Sequence, residues 1–254
     1  MLRFSLSSAL LLLVLITDRI HCDITDGNTE HLKREHSLTK PYQGVGSQWD
    51  FSGSTLVTSS YVRLTPDERS KQGSIWNTVP CYLKDWEMHV HFKVHGSGKK
   101  NLHGDGFALW YIKDGLYPGP VFGNHDPFHG LAILLDTFRN DLHGMDRSFP
   151  FISAMVNNGS LNYDHGKDGR SSELGGCSAE IRNREHDTYL AVRYSRERLT
   201  VLQTHTHTHI GCFHTFYLSS THNFLNNITQ PKRSVADWTE NFSLHRLQSE
   251  KYIF

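Results

Sequence analysis

The stretch DWEMHVHFKVHG, Asp85 to Gly96, decides the fold class. Trp86, Met88, Val90, Phe92 and Val94 alternate with Glu87, His89, His91, Lys93 and His95. Successive side chains of a strand point to opposite faces, so this period of two predicts a strand with one buried and one wet face. Working outward, GFALWYI (106–112), GLAILLD (130–136) and PFISAMVN (150–157) are denser apolar runs of strand length. Such runs suit an inner sheet covered on both sides. TYLAVRYSRERLTV (188–201) reads as two strands joined at SRER, a hairpin. No long segment has helical periodicity. Many short strands with Gly-, Asn- and Asp-rich joints predict an all-β sandwich or jelly roll.

The flanks of this region read differently. Arg3 precedes the apolar run Phe4–Ile16, and a short polar segment follows, which predicts a signal peptide over 1–22. No later stretch has the ~18 continuous apolar residues of a membrane span, so the mature chain is expected to be soluble, luminal or secreted. Residues 23–40 are polar and are expected to be loosely held. The partial β domain is placed at 41–201. After Val201 the alternation stops, and 202–254 read as an atypical, poorly specified tail. The formal charge is zero, with 26 basic and 26 acidic residues, which leaves no basic excess to hold a nucleic acid. With Cys22 in the signal segment, Cys81, Cys177 and Cys212 remain, an odd count that allows one bridge. Sequons at Asn158, Asn227 and Asn241 fit a secretory compartment.

Candidate chemistry is spread over three loops. HGDGFALWY places Asp105 between glycines before a strand; LLDTFRND ends a strand with Asp136, Phe138 and Asn140 at alternate positions. NYDHGKDGR offers Asp164, His165 and Asp168 in a glycine-rich turn. A carboxylate, a backbone carbonyl and an amide oxygen on one side of an extended segment are hard ligands, suited to Ca²⁺ and not to zinc. Turn capping is the alternative use of such Asp and Asn residues.

The segments Gly73–Tyr111, Gly130–Asp141, Ser160–Arg170 and Gly175–Val201 together resemble the vesicular integral-membrane mannose lectins, a branch of the L-type (leguminous-type) lectins. TEHLKREHSLTKPYQGVG (29–46) looks most like the VIPL branch, the ER-resident member. The resemblance spans about residues 30–201. It implies an L-type lectin jelly-roll β-sandwich that binds high-mannose N-glycans on glycoproteins with Ca²⁺, in ER-to-Golgi protein transport, and no enzyme activity. Asp136, Asn140 and Asp168 would hold Ca²⁺ through side chains and Phe138 through its carbonyl. Asp105 would accept bonds from mannose hydroxyls, Asn140 would serve ion and sugar, His165 would donate to the sugar, and Ser70 (in ERSKQG) would reach the same pocket.

Family members continue past this point into further strands, a second cysteine, a Gly-Asp-Leu loop over the mannose, a stalk, a membrane helix and a sorting tail. Here the resemblance stops between Val201 and Leu202, so the domain is expected to be C-terminally incomplete, impaired in sugar binding and prone to aggregate. The Thr-His repeat at the junction is what a two-base DNA repeat encodes, which suggests intron read-through or an alternative exon. Cys177 resembles the first half of the family's disulfide; pairing with Cys212 is left for geometry to decide. Two other readings stay open. Asp85 and Glu87, two apart on a strand, are the carboxylate pair of a jelly-roll glycoside hydrolase. His205, His207 and His209, if on one strand face, are ligands of a His-rich metal-binding secreted protein.

Overall fold

The computed structural model describes residues 32–40, 42, 48–96, 104–113, 117–144, 146–205, 209–218, 241–245 and 251–253. The expected signal segment 1–22, residues 23–31, His207 and the Asn227 sequon lie outside them. In chain order the strands are β1 (Trp49–Gly53), β2 (Leu56–Val57), β3 (Val62–Arg63), β4 (Gly73–Asn77), β5 (Trp86–His95), β6 (Gly106–Ile112), β7 (Pro118–Gly119) and β8 (Gly123–Asn124). They continue with β9 (His129–Asp136), β10 (Phe151–Asn158), β11 (Gly175–Ser178), β12 (Thr188–Ser195), β13 (Arg198–His205), β14 (His209–Tyr217), β15 (Asn241–His245) and β16 (Lys251–Ile253).

Two seven-stranded sheets carry the fold, in the orders β1-β4-β15-β6-β9-β10-β11 and β14-β13-β12-β5-β16-β3-β2. This is the expected all-β sandwich. The alternation of β5 turns Val90, Phe92 and Val94 inward and leaves Glu87, His89 and His91 exposed. Facing them across the sandwich are Phe107, Leu109 and Tyr111 of β6 and Leu131, Ile133 and Leu135 of β9, in one apolar cluster. Between these positions Trp110, Ile112, Ala132 and Leu134 point the other way, into a second cluster with Phe122, Phe128 and Tyr163. That second layer explains why β6 is buried at all seven positions, as its dense apolar run predicts.

β12 and β13 form the expected hairpin, ending with Ser195 opposite Arg198. Arg196 (φ 50°) and Glu197 (φ 62°) both take left-handed conformations, the geometry that matches strand twist in a two-residue turn. Asp85 Oδ1 accepts the Arg196 backbone N–H (3.0 Å) and holds that turn.

β13 runs unbroken through Val201–Leu202, and Gln203 and Thr204 stay buried in it. β14 pairs with β13, and β15 lies between β4 and β6. Strand order therefore continues beyond Val201, because a ladder needs only backbone N–H and C=O groups in register. The Cys177–Cys212 bridge forms, with Cα atoms 5.8 Å apart, and joins β11 of one sheet to β14 of the other. Cys81 is a buried thiol. His205 and His209 are register partners across β13–β14. Among the described residues no helix is long and apolar enough to cross a membrane.

Candidate functional site

One end of the β6–β9–β10 ladder gathers the candidate residues. Gly106, Asp136 and Phe151 are register partners there, so the chain before β6, after β9 and before β10 meets at one place. Asp105 lies just before β6, and its carbonyl accepts the Thr137 backbone N–H (2.8 Å). Gly104 packs so closely that a Cβ would stand 2.5 Å from Phe138 Cβ, which draws the 104–105 and 137–138 segments together.

Two carboxylates organise the centre. Asp136, 6% exposed, accepts the Phe138 backbone N–H at Oδ1 (2.9 Å). Asp168, 4% exposed, accepts the backbone N–H groups of Asn140 (2.8 Å) and Asp141 (3.0 Å). Asp168 is left-handed (φ 51°) and follows a 3-10 turn at His165–Lys167, which swings its side chain onto the 140–141 backbone. Burial pushes the Asp136 carboxyl up to about 8; the Asp168 charge adds to the rise, while the Phe138 N–H and the Arg147 charge oppose it. Burial first, then the Asp136 and Asp168 charges, likewise push the Tyr163 phenol up.

Asp136, Phe138, Asn140 and Asp168 are thus brought together by hydrogen bonds, and Asp105 joins them through Thr137. His165 is exposed, its ring edge-on to Tyr163 with centroids 4.9 Å apart. Asn140 is exposed beside the buried carboxylates. Ser70 sits exposed and left-handed (φ 58°) in the β3–β4 loop, and no described hydrogen bond ties it to the others.

Several contributors escape local sequence reading. Tyr163 wedges against the turn: a Cβ on Gly169 (φ +70°) would stand 2.2 Å from its ring. Its backbone N–H donates to Asp126 Oδ2 (2.9 Å). Arg147 pairs with Glu173, and Arg170 pairs with Asp146 (2.6 Å), so the 141–147 and 168–174 segments are laced together. No motif announces these pairs, because their partners lie more than twenty residues apart and meet only in the fold.

The donor set fits a hard divalent cation. Asp136 and Asp168 are two buried carboxylates that repel each other, and the adjacent oxygens are amide and carbonyl. No cluster of three or more His, Cys, Asp or Glu side chains suited to a metal occurs among the described residues. The side chains of His205, His207 and His209, the histidine-based alternative, lie outside the described residues. Asp85 and Glu87 do not form an open carboxylate pair. Asp85 holds the hairpin turn, while Glu87 binds His89 (2.6 Å) and Arg193 (3.5 Å) on the exposed sheet face.

A two-sheet sandwich with an acidic, oxygen-rich loop cluster at one end of its inner ladder defines a lectin-like binding domain. The sequence matches the Legume-like lectin family over residues 29–249, and the chain belongs to that family. Human Vesicular integral-membrane protein VIP36 is 71% identical over 196 residues, covering 76% of this chain and 55% of the relative. Human VIP36-like protein is 57% identical over 198 residues, covering 76% and 57%. The chain spans about half the length of these relatives. Identity is thus higher with VIP36 than with the VIP36-like branch that residues 29–46 suggested. The match also extends past Val201, to residue 249.

Among solved structures, the VIP36 exoplasmic/lumenal domain in its Ca²⁺/Man3GlcNAc-bound form has a TM-score of 0.73 at 57% identity, covering 87% of this chain and 86% of that one. Its metal-free form has a TM-score of 0.71 at 56% identity, covering 87% and 92%. The carbohydrate recognition domain of Emp47p, 15% identical with a TM-score of 0.60, covers 87% of this chain and 92% of its own and shares the fold.

Proposed function

We propose that the chain is a Ca²⁺-dependent lectin of the early secretory pathway that binds high-mannose N-glycans on glycoproteins, for trafficking or quality control. One observation carries this reading: the buried Asp136–Asp168 pair, whose mutual repulsion a divalent cation relieves. The Ca²⁺- and mannose-bound forms of the VIP36 lumenal domain support it. Asp136, Asn140 and Asp168 would hold the ion by side chains and Phe138 by its carbonyl. Bound Ca²⁺ supplies the positive charge that lets both carboxylates ionise together.

The chain's own residues do the rest. Asp105 accepts hydrogen bonds from mannose hydroxyls, the Asn140 amide faces both ion and sugar, and His165 donates to the sugar. Ser70 reaches in from the β3–β4 loop. Loops ordered before the sugar arrives lose less freedom on binding, which matters for a weak, polar ligand. The reading is of a binding site; the family match and the sugar-bound forms of the VIP36 lumenal domain support it.

The names of the VIP36 relatives place them in vesicular membranes, and an ER–Golgi luminal location is proposed here by that likeness. Residues 202–254 are proposed to come from an alternative exon or read-through; sequencing messages across the Val201–Leu202 codons tests this, and an abundant, properly spliced message joining them refutes it.

The functional test is retention on a Man-rich glycoprotein, with and without EGTA. Retention should require Ca²⁺, compete with free mannose, and fall at least tenfold in Asp105→Asn and Asn140→Ala. Ca²⁺-independent retention, or variants that bind like the parent, would refute the assignment.

A further inference from the structure

The wall behind the Asp136–Asp168 pair holds a charge arrangement that neither ion nor sugar contact explains. Both carboxylates are buried, yet among the described residues neither has an ion-pair partner. A buried arginine stands nearby. Arg147 Nη2 pairs with Glu173 Oε1, the two side chains being only 10% and 14% exposed. Its guanidinium carbon lies 4.2 Å from the Phe151 ring centroid, and Phe151 is the register partner of Asp136 on β10. Arg139 donates to the Arg147 carbonyl and anchors the backbone. Arg147 Nη1 and Glu173 Oε2 are both buried without a hydrogen-bond partner.

Glu173 and Asp136 are thus alternative partners for one guanidinium, whose planar fork suits either. An Arg147–Asp136 pair would relieve the repulsion from Asp168 and would place a permanent cation where a mobile one is needed. Resting on the cation-site reading above, we infer that Glu173 is a positioning residue that diverts Arg147 from Asp136 and keeps the Asp136–Asp168 pair open for a divalent cation. Glu173 and Arg147 cancel each other, and the remaining charge of two carboxylates matches one divalent ion.

The test is Glu173→Gln in the full chain, measured by Ca²⁺ calorimetry and by unfolding in EGTA at pH 7. Released from Glu173, Arg147 turns to Asp136. The Ca²⁺ affinity then falls about tenfold, while the midpoint of unfolding in EGTA rises. An ion pair with a purely structural role does the reverse, and a lowered EGTA midpoint with unchanged Ca²⁺ affinity of the folded protein overturns the inference. The double variant Arg147→Gln/Glu173→Gln removes the competitor. Its Ca²⁺ affinity should return to within about threefold of the parent; a double variant tenfold weaker also overturns the inference, and this arm decides if the single variant does not fold. A parent chain that takes up no Ca²⁺ refutes the proposed function; a parent that binds while the variants depart from these results refutes only the role of Glu173.

Discussion

Replacing Asp136 by Asn should make the cation-free protein more stable, by an amount that grows with pH. The Asp136 carboxyl is raised from its ordinary 3.8 to about 8 by burial, with Asp168 contributing. The folded state therefore keeps a proton that the unfolded chain gives up. Below about pH 4 both states hold it and there is no penalty. Between about pH 4 and pH 8 only the folded state holds it, so stability falls by about 1.4 kcal/mol per pH unit. Above about pH 8 both states are ionised and the penalty is constant. At pH 7 the loss is about 4 kcal/mol, a large part of the stability of an ordinary domain. Asn has nearly the same shape and no charge, so Asp136→Asn should lack this slope. Denaturant unfolding in EGTA from pH 4 to 9 measures the difference: little below pH 4, and about 4 kcal/mol in favour of Asn at pH 7. Parallel stability curves for parent and variant would refute the reasoning. Calcium should erase the parent's slope, since binding displaces the proton.

Three further outcomes are expected. Apparent Ca²⁺ affinity of the parent should weaken about tenfold for each pH unit below 8, with close to one proton released per ion at pH 7; calorimetry in buffers of different ionisation enthalpy reads both. Gly169→Ala forces a left-handed Ala against the Tyr163 ring, and should cost about 2–4 kcal/mol in unfolding and also weaken Ca²⁺ binding through the adjoining Asp168. Replacing both Cys177 and Cys212 by Ser opens a link between residues 35 apart in sequence, and should cost about 4 kcal/mol in denaturant unfolding.

What could be read from the chain alone was whatever depends on local pattern. Period two in Trp86–His95, apolar runs at 106–112 and 130–136, and SRER between two strands specify pleated elements and a turn, and they form as expected. The candidate oxygen ligands were legible for the same reason: Asp136, Phe138 and Asn140 are spaced by the strand period. Only the tertiary structure decided what depends on distant neighbours. It set Asp168 onto the Asn140 and Asp141 backbones, wedged Tyr163 behind them, and paired Arg147 with Glu173 across 26 residues. It also carried β13 through Leu202 and seated β14 and β15 in the sheets, where the sequence pattern had ended. Strand addition is a backbone interaction between chemically equivalent groups, so it leaves little trace in side-chain pattern; a charge cluster leaves a trace only when its members share a strand or a turn.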